Sequence, residues 1–208
     1  MNRALVTLCL LLLPVPSFAG PIGDWTTGFT TDYARNDLSQ FDAGTYTIGS
    51  AFDHPFWEPV SGQPDGPIMF VNGRDDRVST VWEKSFFAPA DTTISVSAWL
   101  GNVCCTAESG LHYPGPILSW FLNGVFFFDA MTDGAGVMQL FTQSFESGGG
   151  LYTLSLRNQS TVYNGNDFAV SGLSVEPVPE PSTLLLFGST LGLLAARMRR
   201  GRRSSQAL

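Results

Sequence analysis

Apolar and polar residues alternate in short runs through the body of this chain, and no long stretch there repeats at helical spacing. Ile94, Val96, Ala98 and Leu100 share one parity, with Ser95, Ser97 and Trp99 on the other. Tyr152, Leu154 and Leu156 alternate with Thr153, Ser155 and Arg157. Side chains of a strand alternate between faces, so each run predicts a strand with one face buried. Ile117–Leu122, Asn123-Gly124 and Val125–Asp129 predict a hairpin, because Asn-Gly accepts the positive φ values of a type I′ turn. Further strands are expected near Thr45–Ile48, Ile68–Val71, Val78–Phe87, Val137–Phe145 and Asp167–Val175. Nine or so strands in one domain make an all-β, two-layer sandwich. Phe168 and Val170 differ in parity from Leu173 and Val175, which predicts a bulge at Ser171-Gly172. Gly49–Gly66 reads as one long proline-rich loop.

Both ends lie outside that pattern. Met1-Asn2-Arg3, the apolar run Ala4–Leu13 and the small-residue site ending at Ala19 read as a signal peptide over 1–19, cut by signal peptidase after Ala19. Near the other end, 182–196 is uncharged and mostly apolar. As a helix it would rise roughly 22 Å, and with snorkelling arginines it could span the ~30 Å hydrocarbon core. Arginines within 197–203 would hold that end in the cytoplasm and leave everything before Pro179 outside. Of 11 basic residues, one leaves with the signal peptide and five with the tail. Five then face 18 acids, a net charge of −13 over 20–180. So acidic a surface excludes nucleic acid as a partner.

Val178-Pro-Glu-Pro-Ser-Thr183, the apolar segment and the arginines together resemble the PEP-CTERM sorting domain of Gram-negative bacteria, over 177–203. The resemblance implies recognition by an exosortase, with Pro179, Glu180 and Pro181 as the cleavage motif. It further implies transient anchoring in the inner membrane, delivery to the cell surface or exterior, and a link to exopolysaccharide. A second set of segments runs Gly44-Thr-Tyr-Thr-Ile-Gly49, Pro67-Ile-Met-Phe-Val-Asn-Gly73, Val81-Trp-Glu-Lys-Ser-Phe86, Thr93–Trp99, Phe121–Gly124 and Gly165–Ala169. These resemble galactose-binding-like jelly-roll domains, related to carbohydrate-binding modules, and imply such a domain over 20–176. Such domains usually follow the Asn-Asp-Phe-Ala segment with an acidic pair that helps hold calcium; here Ser171 and Gly172 stand there.

Candidate sites are few. Cys104 and Cys105 are left once Cys9 departs with the signal peptide, and being adjacent they can stay reduced, join each other or cross-link chains. His54 and His112 lie in no catalytic motif, so the chain reads as no enzyme. No cofactor is required; structural calcium is the one candidate, at the turn of Asn72, Asp75 and Asp76, with Asn164, Asn166 and Asp167 as a second oxygen-rich turn. Both turns also have ordinary turn composition. For a polysaccharide partner, Phe56 and Trp57 are the candidate contacts, on the proline-rich loop beside Asp53, His54 and Glu58. Trp82, Trp99 and Trp120 fall on strands and belong to the core or a sheet face. The expected function is that of an exported, non-catalytic surface or matrix protein tied to exopolysaccharide or biofilm. The alternative is a carbohydrate-binding module.

Overall fold

The computed structural model describes residues 22–36, 42–52, 54, 56–105, 115–132, 135–162 and 164–178. The expected signal peptide over 1–19 and membrane span over 182–196 lie outside them. Among the described residues no helix is long and apolar enough to cross a membrane. Eight strands form among the described residues: β1 (Ala34–Arg35), β2 (Thr45–Gly49), β3 (Ile68–Asn72), β4 (Ser79–Asn102), β5 (Ile117–Leu122), β6 (Val125–Met131), β7 (Gln139–Asn158) and β8 (Phe168–Pro177). They hydrogen-bond in the order β1-β2-β3-β8-β4-β7-β5-β6. The β1–β2 pair is parallel, whereas β2–β3, β3–β8, β4–β7, β5–β6 and β5–β7 are antiparallel. The chain divides after Glu176 into units Met1–Glu176 and Pro177–Leu208.

The strand count differs from expectation for a physical reason. Two pairs of expected strands merge into β4, 24 residues long, and β7, 20 residues long. Pro89 and Asp91 look like breakers in sequence. The ladder passes them instead through a register shift between Ala90 and Thr92, with Asp91 at φ 56°. Pro is tolerated beside a bulge because no ladder N–H is required there, and a bulge bends a ribbon rather than ending it.

Buried side chains from β3, β4, β5, β6, β7 and β8 join in one core around Trp82, Trp120 and Phe168. With no helix among the described residues to cover them, the sheet covers itself, which gives the β-sandwich. Fully burying each large side chain contributes roughly 1.5–3 kcal/mol. Phe168, Val170, Leu173 and Val175 all enter this core although their parity changes. The change occurs at Gly172, whose φ of 57° is readily adopted only without a side chain. The β5–β6 turn has Asn123 at φ 51° and Gly124 at φ 77°, as a type I′ turn requires.

A second apolar cluster lies on the other face of β3. Met69 and Val71 point into the main core, while Ile68 and Phe70 meet Trp57, Val103, Cys104, Met138 and Ala169. Phe52 and Val60, from the proline-rich loop, pack on this cluster. β3 is therefore buried on both faces, which accounts for its unbroken Ile-Met-Phe-Val run. The loop acts as a local third layer.

Candidate functional site

The cleavage motif Pro179, Glu180 and Pro181 lies outside the described residues, as do Ala19, Asp53 and His112.

The structure separates the two aromatics chosen as glycan contacts. Phe56 is 66% exposed, whereas Trp57 is 7% exposed and belongs to the second cluster. The Trp57 ring lies against Phe52, with centroids 5.4 Å apart, and against His54 at 4.6 Å. A buried indole cannot offer a face to a sugar, so Trp57 pins its loop and only Phe56 stays available. Proximity in sequence could not reveal this, because adjacent residues point in different directions.

Trp57 is held by polar contacts as well. Its indole N–H donates to Asp167 Oδ2 at 3.0 Å, and the Gly73 amide donates to Asp167 Oδ1 at 3.1 Å. Glu58 N–H donates to the Val103 carbonyl at 2.9 Å, and Val103 N–H to the Asp167 carbonyl at 3.1 Å. Burial pushes the Asp167 carboxyl up to about 6, while the bonds from Gly73 and Trp57 favour its charged form.

The two oxygen-rich turns meet here. Asn166 Nδ2 donates to the Arg74 carbonyl at 2.8 Å, and Asn166 Oδ1 is buried without a protein partner. A Cβ on Gly73 would run into Asn166, so only glycine permits this approach. The calcium candidates are disposed otherwise. Asn72 ends β3, Asp75 is exposed, and both oxygens of Asp76 accept from the Arg74 guanidinium at 2.8 and 2.7 Å. That guanidinium holds the Asp76 carboxyl down to about 2. Among the described residues no three His, Cys, Asp or Glu side chains could hold a metal together. Cys104 and Cys105 form a disulfide with each other, beside Trp57.

One surface was missed by sequence reasoning. In an antiparallel sheet, paired residues share a face. Registers Glu83↔Ser155, Phe121↔Ser155 and Phe121↔Phe126 therefore make one row across β4, β7, β5 and β6 on the face away from the main core, with Ser155 itself buried, Glu83 and Phe121 half-buried and Phe126 exposed. The next row holds Arg157, Ser119 and Asp129. Phe126 is 56% exposed and meets the half-buried Phe121 edge to face at 6.0 Å. The Arg157 guanidinium sits 4.4 Å from the Phe121 ring centre, a cation–π contact. Ser119 Oγ donates to Asp129 Oδ1 at 2.6 Å. Further along, Ser85 and Thr153 hydroxyls bond at 2.8 Å, and Phe87 faces Leu151, exposed 60% and 71%. The signal was present in Val125-Phe126-Phe127-Phe128: four apolar residues in a row cannot all face one core.

Comparison with known proteins places residues 177–203 as a match to the PEP-CTERM protein-sorting motif. The chain is thus a secreted protein sorted to the cell surface, and the motif implies an exosortase as its partner. No curated protein matches the chain. Among solved structures, the sugar-binding C-terminal domain of EclA is similar at 13% identity and TM-score 0.46, covering 56% of this chain and 81% of that one. The CBM6 module of LamC, a laminarinase from Zobellia galactanivorans, is similar at 11% identity and TM-score 0.37, over 71% and 98%. A Stig cyclase from Fischerella sp. TAU is similar at 10% identity and TM-score 0.49, over 75% and 87%.

Proposed function

We propose that this is an exported, exosortase-sorted, non-catalytic protein of the cell surface or extracellular matrix, serving exopolysaccharide or biofilm. The match of 177–203 to the sorting motif carries the reading. Signal peptidase cuts after Ala19. The 182–196 segment halts in the inner membrane, and the arginines behind it stay in the cytoplasm because moving fixed charge through hydrocarbon is costly. Exosortase then cuts within Pro179–Pro181 and frees the domain over 20–176. Two features support a non-catalytic role. The His54 ring packs among Phe52, Phe56 and Trp57, and the sulfurs of Cys104 and Cys105 are joined to each other rather than present as thiolate. Deleting the exosortase tests the sorting. The chain should then remain in the inner membrane with its arginines attached; unchanged surface delivery would end the proposal.

A carbohydrate-binding module is the second reading, favoured by the exposed rings of Phe56 and Phe126. Aromatic faces exposed beside polar groups suit the apolar faces and hydroxyls of sugar rings. Retardation of the protein in gels containing polysaccharide tests it, and free migration in every gel would remove it.

A further inference from the structure

We propose that the solvent face of β4, β7, β5 and β6 binds a neutral polysaccharide, with Phe126 and Phe121 as the ring platform and Arg157, Asp129 and Glu83 as its hydrogen-bonding groups. The proposal rests on the carbohydrate-binding reading and assigns that reading a site other than the Phe56 loop.

Three observations carry it. First, the aromatic platform is rigid. Phe121 lies between the Phe126 ring and the Arg157 guanidinium, and the hairpin beneath is fixed by its type I′ turn. A platform already held in place loses little side-chain freedom on binding. Second, donors and acceptors flank the rings. Arg157 has no carboxylate partner among the described residues, and its guanidinium is held over the Phe121 ring with Nε buried, which leaves the two terminal nitrogens as the donors for a ligand. Asp129 accepts from Ser119 and keeps further lone pairs for a hydroxyl. Third, a second apolar pair, Phe87 with Leu151, lies four residues along β4 from Glu83, roughly 13 Å away at strand spacing. The intervening Ser85–Thr153 row is polar. A surface of that length suits an oligosaccharide rather than one sugar.

Charge selects the ligand. The face offers one cation, Arg157, against the two carboxylates of Glu83 and Asp129, on a domain of strongly negative net charge. A polyanion would be repelled by the whole surface, as would an anionic membrane or nucleic acid. A second copy of this face would bring like carboxylates together and bury the Ser85–Thr153 row. A neutral chain of hydroxyls has neither penalty, because a hydroxyl both donates to carboxylates and accepts from a guanidinium.

The test is native affinity electrophoresis of the mature protein in gels containing neutral glucan, mannan or galactan, or anionic polygalacturonate. At least one neutral polymer should retard it, and polygalacturonate should not. Phe126→Ala should weaken the binding about tenfold or more, the loss expected for one stacked ring. Arg157→Gln should weaken it too, and Phe56→Ala should leave it intact. Equal melting temperatures for the variants separate lost binding from lost fold; should Phe126→Ala melt early, Arg157→Gln decides alone. Free migration in all neutral gels, or retardation by polygalacturonate alone, overturns the proposal. Loss with Phe56→Ala but not with Phe126→Ala overturns this site while keeping carbohydrate binding.

Discussion

Trp57 and Asp167 stand 110 positions apart, and the indole N–H of the first donates to the carboxylate of the second at 3.0 Å. Through this bond the proline-rich loop is fastened to the lead-in of β8, while Asp167 also accepts from Gly73 at the end of β3. Three segments distant in sequence therefore depend on one buried carboxylate.

Trp57→Phe keeps the packing and removes the N–H. Asp167, 8% exposed, then loses one of its two bonds, and losing a partner of a buried charged group costs roughly 1.5–3 kcal/mol. Urea unfolding should show a lower midpoint with an unchanged slope.

Asp167 also predicts a pH dependence. Its folded value, about 6, lies above the ordinary 3.8, so the native state holds this proton more tightly than the unfolded state. Stability from this group is therefore fully present below about 4 and declines as pH rises through about 6. A shift of this size corresponds to roughly 3 kcal/mol. Urea midpoints between pH 4 and 7 should fall less steeply in Asp167→Asn than in the native protein. Identical slopes would contradict the assignment.

Gly73→Ala places a methyl group against Asn166, whose Nδ2 is already committed to the Arg74 carbonyl. Overpacking of this kind costs roughly 1–3 kcal/mol. A thermal melt should fall by several degrees, whereas alanine at Gly124, with open space around its Cβ, should act only through its positive φ.

The mature chain proposed above begins at Gly20 and so lacks Cys9, and Cys104 and Cys105 are bonded to each other. Mature protein unfolded in denaturant should react with no thiol reagent until a reductant is added. Reactivity before reduction would show that the two sulfurs are free.

Much of the architecture was legible because a two-residue period leaves a direct mark on sequence. The hairpin turn at Asn123-Gly124 and the parity change at Gly172 were both visible as residue choices with one physical cause, positive φ. The merging of four expected strands into β4 and β7 was hidden, since Pro89 and Asp91 carry the same local signal in a bulge as in a loop. The candidate site was less legible. Trp57 and Phe56 have the same neighbours in sequence and opposite exposures, which only tertiary packing on Phe70 and Cys104 decides. The Phe121–Phe126 row depends on the register between strands, which no single strand contains.

Intact mass of the mature protein recovered from the surface of producing cells tests exosortase-sorted export most directly. The mass should correspond to a chain that begins at Gly20 and ends within Pro179–Pro181, with any excess reporting an attached glycan or anchor. A surface species that still carries Arg197–Arg203 would contradict it.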